Sequence, residues 1–117
     1  MDSQAYNRER VEKILSQMSL EDKVAQMLQL SANANPADIF EKFKSEGKLG
    51  SYLHVLGEET DSFLESAAKT ELKVPPIFGI DAIHGHALLK YATVFPSQLA
   101  MACSWDEDMV ENVGEFT

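Results

Sequence analysis

Residues 74–86 read Val74-Pro75-Pro76-Ile77-Phe78-Gly79-Ile80-Asp81-Ala82-Ile83-His84-Gly85-His86. An apolar run leaves two prolines and ends on Asp81, His84 and His86, the pattern of a buried strand that delivers polar side chains to the mouth of a pocket. Pro75 and Pro76 fit only at the entrance of such a strand, because each removes a donor from the sheet ladder. Gly79 inside it predicts the close approach of another backbone or a bulky ring.

Working upstream, Glu58 to Thr70 is acidic at its front and carries Phe63, Leu64, Ala67 and Ala68 at helical spacing, as a crossover helix does. Leu49 to Leu56 before it is rich in strand formers and bounded by Gly47 and Gly57, which predicts a first strand. Strand, helix and strand with short connections make a βαβ unit with parallel strands and a right-handed crossover. Ligands of such folds bind beyond the carboxyl ends of the strands, so Asp81, His84 and His86 belong to the functional edge. His54, inside the first predicted strand, reads as a hydrogen-bonded structural residue.

Earlier still, Val11, Ile14, Leu15 and Met18 fall on one stripe of a helix that begins near Tyr6. Ser19 with Asp22 three residues later offers a capping box for a second helix striped by Leu20, Val24, Met27 and Leu28. Asn35-Pro36 pairs a cap with a first-turn proline, and Gly47 stops this third helix after Ile39, Phe40 and Phe43. Downstream, residues 87–98 read as a loop, and Leu99 to Cys103 fits either a helix or a buried strand. Ser104-Trp105-Asp106-Glu107 has the form of a capping box before a stripe of Met109, Val110, Val113 and Phe116. That stripe is still running at Thr117, as expected of a section of a larger domain.

The chain has 117 residues, a net charge of −9 and one cysteine. Its acidity argues against a nucleic-acid partner, which would demand a basic surface. Asp106, Glu107 and Asp108 sit where a helix starts, so the helix dipole accounts for them. Cys103 alone excludes an intrachain disulfide and reads as a packed core thiol. No apolar run reaches the roughly 20 residues of a membrane span, and the polar N-terminus lacks a signal core, which leaves localisation undetermined.

Asp81 can accept two ligand hydroxyls at once, as the vicinal diol of a sugar would present them, or cap the following turn; metal binding and base catalysis are lesser alternatives. His84 and His86 form His-x-His, which ligates a metal only if both rings fold to one side, and no third histidine follows. Supporting roles suit both better. A phosphate loop, a cysteine pair and a Gly-x-Ser-x-Gly elbow are all missing.

Five stretches together resemble the N-terminal part of the glycoside hydrolase family 3 barrel domain, of β-glucosidase and β-xylosidase type. They are Met18-Ser-Leu-Glu-Asp-Lys-Val-Ala-Gln-Met27 with Gly47-Lys-Leu-Gly-Ser51, then Pro76 to His86, then Thr93-Val-Phe-Pro96 with Ala102-Cys-Ser-Trp-Asp106. The resemblance implies an α/β fold: leading helices and the first βα units of a (β/α)8 TIM-type barrel, incomplete here because such barrels need at least about 200 residues. It implies retaining, exo-acting hydrolysis of terminal β-D-glucosyl or xylosyl residues without metal or organic cofactor. Asp81 matches the aspartate that holds sugar hydroxyls next to the scissile bond, and His84 and His86 stand beside it without touching sugar. The family's nucleophilic aspartate, its acid/base glutamate and its other sugar-gripping residues have no counterpart within these 117 residues. Retaining chemistry needs two carboxyl groups about 5 to 5.5 Å apart. The expectation is therefore a chain that is inert by itself and is completed by the remainder of the enzyme. The rivals are a metal-dependent hydrolase using Asp81, His84 and His86, and a non-catalytic binding module.

Overall fold

The computed structural model describes residues 3–117, with side chains from Tyr6 onward. In chain order the elements are α1 (Ser3–Gln17), α2 (Leu20–Gln26), β1 (Gln29–Ser31), α3 (Ala37–Glu46), β2 (Ser51–Leu53), α4 (Glu59–Ala68), β3 (Ile77–Gly79), α5 (Gln98–Ala102) and α6 (Glu107–Phe116). They fall into two compact units, one ending at Ile80 and one spanning Asp81–Thr117.

The first unit holds a three-stranded parallel sheet of order β1-β2-β3. β2 and β3 are the two expected parallel strands, each shorter than the apolar run that contains it. β1 is an addition: the sequence reading passes from the second helix straight to Asn35. With three residues it is too short to show a period of two. Ile77, the first residue past the two prolines with an N–H, donates to the Gly50 carbonyl at 2.9 Å and opens β3.

Register lines up Leu30, Tyr52 and Phe78 across the three strands. These side chains point to the face that α3 and α4 cover, where Phe40, Leu49, Tyr52, Val55 and Phe63 form the buried core and Leu30 and Phe78 pack on it. The rings meet edge-on, Tyr52 and Phe63 with centroids 4.4 Å apart and Phe40 and Phe63 5.5 Å apart. Such pairs add about 0.5 to 1.5 kcal/mol each beyond area burial. Burial, with the nearby Glu46 carboxylate, pushes the Tyr52 phenol up to about 12, and its hydroxyl donates to the Phe43 carbonyl at 3.2 Å. Side chains alternate along a strand, so Gln29, Ser51 and Ile77 with Ser31, Leu53 and Gly79 belong to the opposite face. Ile77 is 73% exposed there.

Gly47 ends α3 as expected, with φ at +63°. A side chain at this position would run into the Ser66 carbonyl of α4, so the glycine also sets how closely the two helices pack. Asn35 does not cap α3: Pro36 takes that position, and the Asn35 Oδ1 accepts from the Ser31 N–H at 2.7 Å. The short chain between β1 and α3 draws the side chain back to the strand end. At Gly79 the neighbours are the Leu53 side chain and the Gln29 amide, neither a ring nor the backbone approach expected, since the nearest backbone atom lies farther off.

The capping box of α2 is present in both directions between Ser19 and Asp22. Its apolar stripe, however, is turned outward: Leu20, Val24 and Met27 are exposed and no residue of α2 is buried. The inward contacts are polar. The Ala25 carbonyl accepts from Gly50 N–H, Gln26 Nε2 donates to the Lys48 carbonyl and Asp22 pairs with Lys48. These bonds fix the helix by its polar side. The α1 stripe likewise finds little cover, with Val11 and Leu15 exposed.

In the second unit, Leu99 to Cys103 resolves as helix. α5 turns Met101 inward and leaves Cys103, at its C-cap, exposed, so the expectation of a core thiol is wrong. Glu107 opens α6 where the acidic cluster predicted a helix start, but the cap is Asp106, whose side chain accepts from Met109 N–H at 2.9 Å. Ser104 is taken up instead by the end of α5, donating to the Met101 carbonyl and accepting from Asp106 N–H. Trp105 between them adopts φ +56°, which shifts the helix start away from the expected Ser104 box. No helix among the described residues is long and apolar enough to cross a membrane.

Candidate functional site

Asp81 opens the second unit two residues beyond β3 and is exposed. The backbone that carries it is gripped from Ile83 onward. Gln98 Nε2 donates to the Ile83 carbonyl at 2.7 Å. His84 is held twice by one residue: its carbonyl accepts from Phe95 N–H at 2.8 Å, and its Nδ1 lies 2.7 Å from the Phe95 carbonyl oxygen. A carbonyl can only accept, so Nδ1 carries the proton, and in the neutral ring Nε2 is then the acceptor. His86 N–H donates to the Thr93 carbonyl at 3.1 Å, and Gly85 bridges Val94 in antiparallel sense. His84 to His86 and Thr93 to Phe95 are thus the two arms of one short hairpin, closed at its tip by Leu89 N–H on the His86 carbonyl.

Gly85 is what lets the arms close. Its φ is +89°, and a Cβ at this position would collide with the Thr93 carbonyl. Its N–H donates to the Thr117 hydroxyl at 3.1 Å. The same left-handed residue interrupts the extended backbone on which His84 and His86 would share a side. Among the described residues no three His, Cys, Asp or Glu side chains group as metal ligands. The His84 Nδ1 proton is engaged by the Phe95 carbonyl, which leaves the lone pair on Nε2. His86 keeps a buried Nδ1 that has no hydrogen-bond partner among the described residues.

His54 lies just past β2, at the same carboxyl edge of the sheet that β3 leaves for Asp81. Its N–H donates to the Gly79 carbonyl at 3.0 Å, which extends the ladder by one bond, and it does so at φ +63°. It is structural in its backbone, as expected, but sits at the strand end rather than inside the strand. A polar cleft lined by Asp22, Gln26, Lys48, Thr70 and Glu71 lies at the opposite, amino ends of the strands. Sequence reasoning singled out the Thr93 to Pro96 stretch but not its pairing with His84 to His86, and it missed Gln98 as a holder of the turn. Gly85 was the available signal, a glycine between two polar residues at a required tight turn.

The family model of the glycosyl hydrolase family 3 N-terminal domain matches residues 19–117. The chain belongs to this family. A curated relative, a periplasmic β-glucosidase of Salmonella typhimurium, is 27% identical over 107 residues that cover 89% of this chain. A solved structure from a study of a β-glucosidase involved in saponin metabolism in intestinal bacteria is 41% identical, covers 87% of the chain and superposes with a TM-score of 0.62. The chain spans 13% of the length of each of these proteins. Helices alternating with parallel strands, the α/β class of the family's N-terminal domain, are what the described residues show.

Proposed function

We propose that this chain is the opening section of a family 3 (β/α) barrel in a retaining, exo-acting β-glycosidase that removes terminal β-D-glucosyl or xylosyl residues. Asp81 holds hydroxyls of the sugar next to the scissile bond, and the two catalytic carboxyl groups belong to residues other than these 117. The observation that carries the reading is the position of Asp81: exposed, directly beyond the carboxyl end of a parallel strand, on a turn fixed by the His84–Phe95 and Gln98–Ile83 hydrogen bonds. Active sites of βα barrels collect at that edge of the sheet. The sheet supports the barrel as well, because one of its faces carries helices while the other presents Ile77 to solvent. A parallel sheet is ordinarily covered on both faces, and in a barrel the second face closes on itself.

An ionised carboxylate accepting a pair of hydroxyls gains about 1.5 to 3 kcal/mol per bond. Loss of both corresponds to about a 150- to 25,000-fold fall in kcat/KM. The test is hydrolysis of 4-nitrophenyl β-glucoside and β-xyloside by the full-length enzyme and by its Asp81→Ala variant, with the 117-residue chain assayed alone. The expected result is a fall in that range for the variant and no turnover by the isolated chain. An active isolated chain, or a folded Asp81→Ala enzyme with unchanged kcat/KM, contradicts the reading.

A further inference from the structure

We infer that His84 is the positioning residue for Asp81, acting through a clamp on Phe95. The inference rests on the proposed sugar-binding role of Asp81 and adds the device that aims it. The Asp81 side chain is short, with two rotatable bonds, so where its carboxylate can reach depends on how the backbone from Asp81 to His84 is placed. That backbone is not part of any helix or strand, and its own ladder cannot hold it still. It is tied down by Gln98 Nε2 on the Ile83 carbonyl and by the paired bonds of His84 with Phe95. The second is the more demanding. Main chain and imidazole of one residue engage both the N–H and the carbonyl of another, at 2.8 and 2.7 Å, which fixes the turn in translation and in rotation.

The clamp also dictates a proton position. Free neutral imidazole carries its proton on either nitrogen, whereas the Phe95 carbonyl admits only the Nδ1–H form. Gly85 completes the device, since only at φ +89° does the chain turn sharply enough for His86 to reach the Thr93 carbonyl while His84 reaches Phe95. An imidazole supplies this Nδ1 donor on a short rigid arm. Asparagine places an amide donor at nearly the same distance from the backbone, while glutamine carries it one methylene too far. That difference separates a clamp from mere bulk.

The test is a substitution series in the full-length enzyme, His84→Ala, His84→Asn and His84→Gln, each made with Asp81 and with Asp81→Ala. Turnover of 4-nitrophenyl β-glucoside and hydrogen exchange at the Phe95 amide are the readouts. Displacing a binding group by about an ångström costs on the order of 100-fold, so His84→Ala and His84→Gln are expected to lose about 10- to 100-fold in kcat/KM and to speed exchange at Phe95. His84→Asn is expected to recover to within about threefold of the parent. In the Asp81→Ala background the same changes cost nothing further, because residues acting through one another do not add. Equal loss in all three variants, full activity in all three, or additive losses over Asp81→Ala overturn the inference. Should the variants not fold, 15N resonances of His84 in the unsubstituted protein decide: a neutral ring protonated at Nε2 overturns it. An Asp81→Ala enzyme of unchanged activity removes the sugar-binding reading and the inference with it, whereas a damaged Asp81→Ala enzyme with a flat His84 series removes the inference alone.

Discussion

Asp22 carries more of the local structure than a helix-cap partner alone would. It accepts from the N–H and hydroxyl of Ser19 and pairs with Lys48 at 2.7 Å. The Lys48 ammonium above all, then Ser19, holds its carboxyl at about 2, against an ordinary value of 3.8. A carboxyl whose folded value is depressed adds stability that is complete above its unfolded value and is lost as pH falls through the folded one. Asp22→Asn is therefore expected to lower the melting temperature at pH 6 and to leave it nearly unchanged at pH 2; calorimetric scans at the two pH values check this, and a gap independent of pH contradicts it. The Ser19–Asp22 half of this network was legible from the sequence, because a cap and its partner are three residues apart. The Lys48 half was not, since nothing local marks which of several lysines comes back across the fold. Cys103 illustrates the same limit: its apolar neighbours suggested burial, and only the end of α5 decides that Met101 turns in while the thiol faces water.

At the scale of elements, reading succeeded where a helix or strand is announced by more than one signal. Gly47 at the end of α3, the phenylalanine and alanine spacing of α4, and the two prolines before β3 each had a second feature in agreement. β1 had none, being three residues long and lying directly after a helical stripe. The stripe itself misled: in α2 the leucine, valine and methionine positions face outward while Asp22, Ala25 and Gln26 make the contacts. Periodicity tells which residues share a face, and tertiary partners decide which face is used. The start of α6 offers a direct check. Asp106→Ala should cost about 1 kcal/mol as a lost cap, read by urea denaturation, and Glu107→Ala should cost clearly less. The reverse order would restore Ser104 and Glu107 as the capping pair.

For the whole molecule, the parallel α/β class followed from the βαβ pattern, and the family followed from motifs spread between Met18 and Asp106. The hairpin that unites two of those motifs did not follow, because antiparallel pairing of His84 to His86 with Thr93 to Phe95 depends on a left-handed glycine and on carbonyl positions that no side-chain pattern encodes. The proposed division of labour, sugar binding by Asp81 here and covalent chemistry elsewhere, is a claim about which carboxylate forms the glycosyl ester. A retaining glycosidase passes through such an ester on its nucleophile. Incubation of the full-length enzyme with a 2-deoxy-2-fluoro-glucosyl reagent traps it, and peptide mass mapping locates it. The account predicts a label on a carboxylate outside these 117 residues and none on Asp81; a label on Asp81 would contradict it.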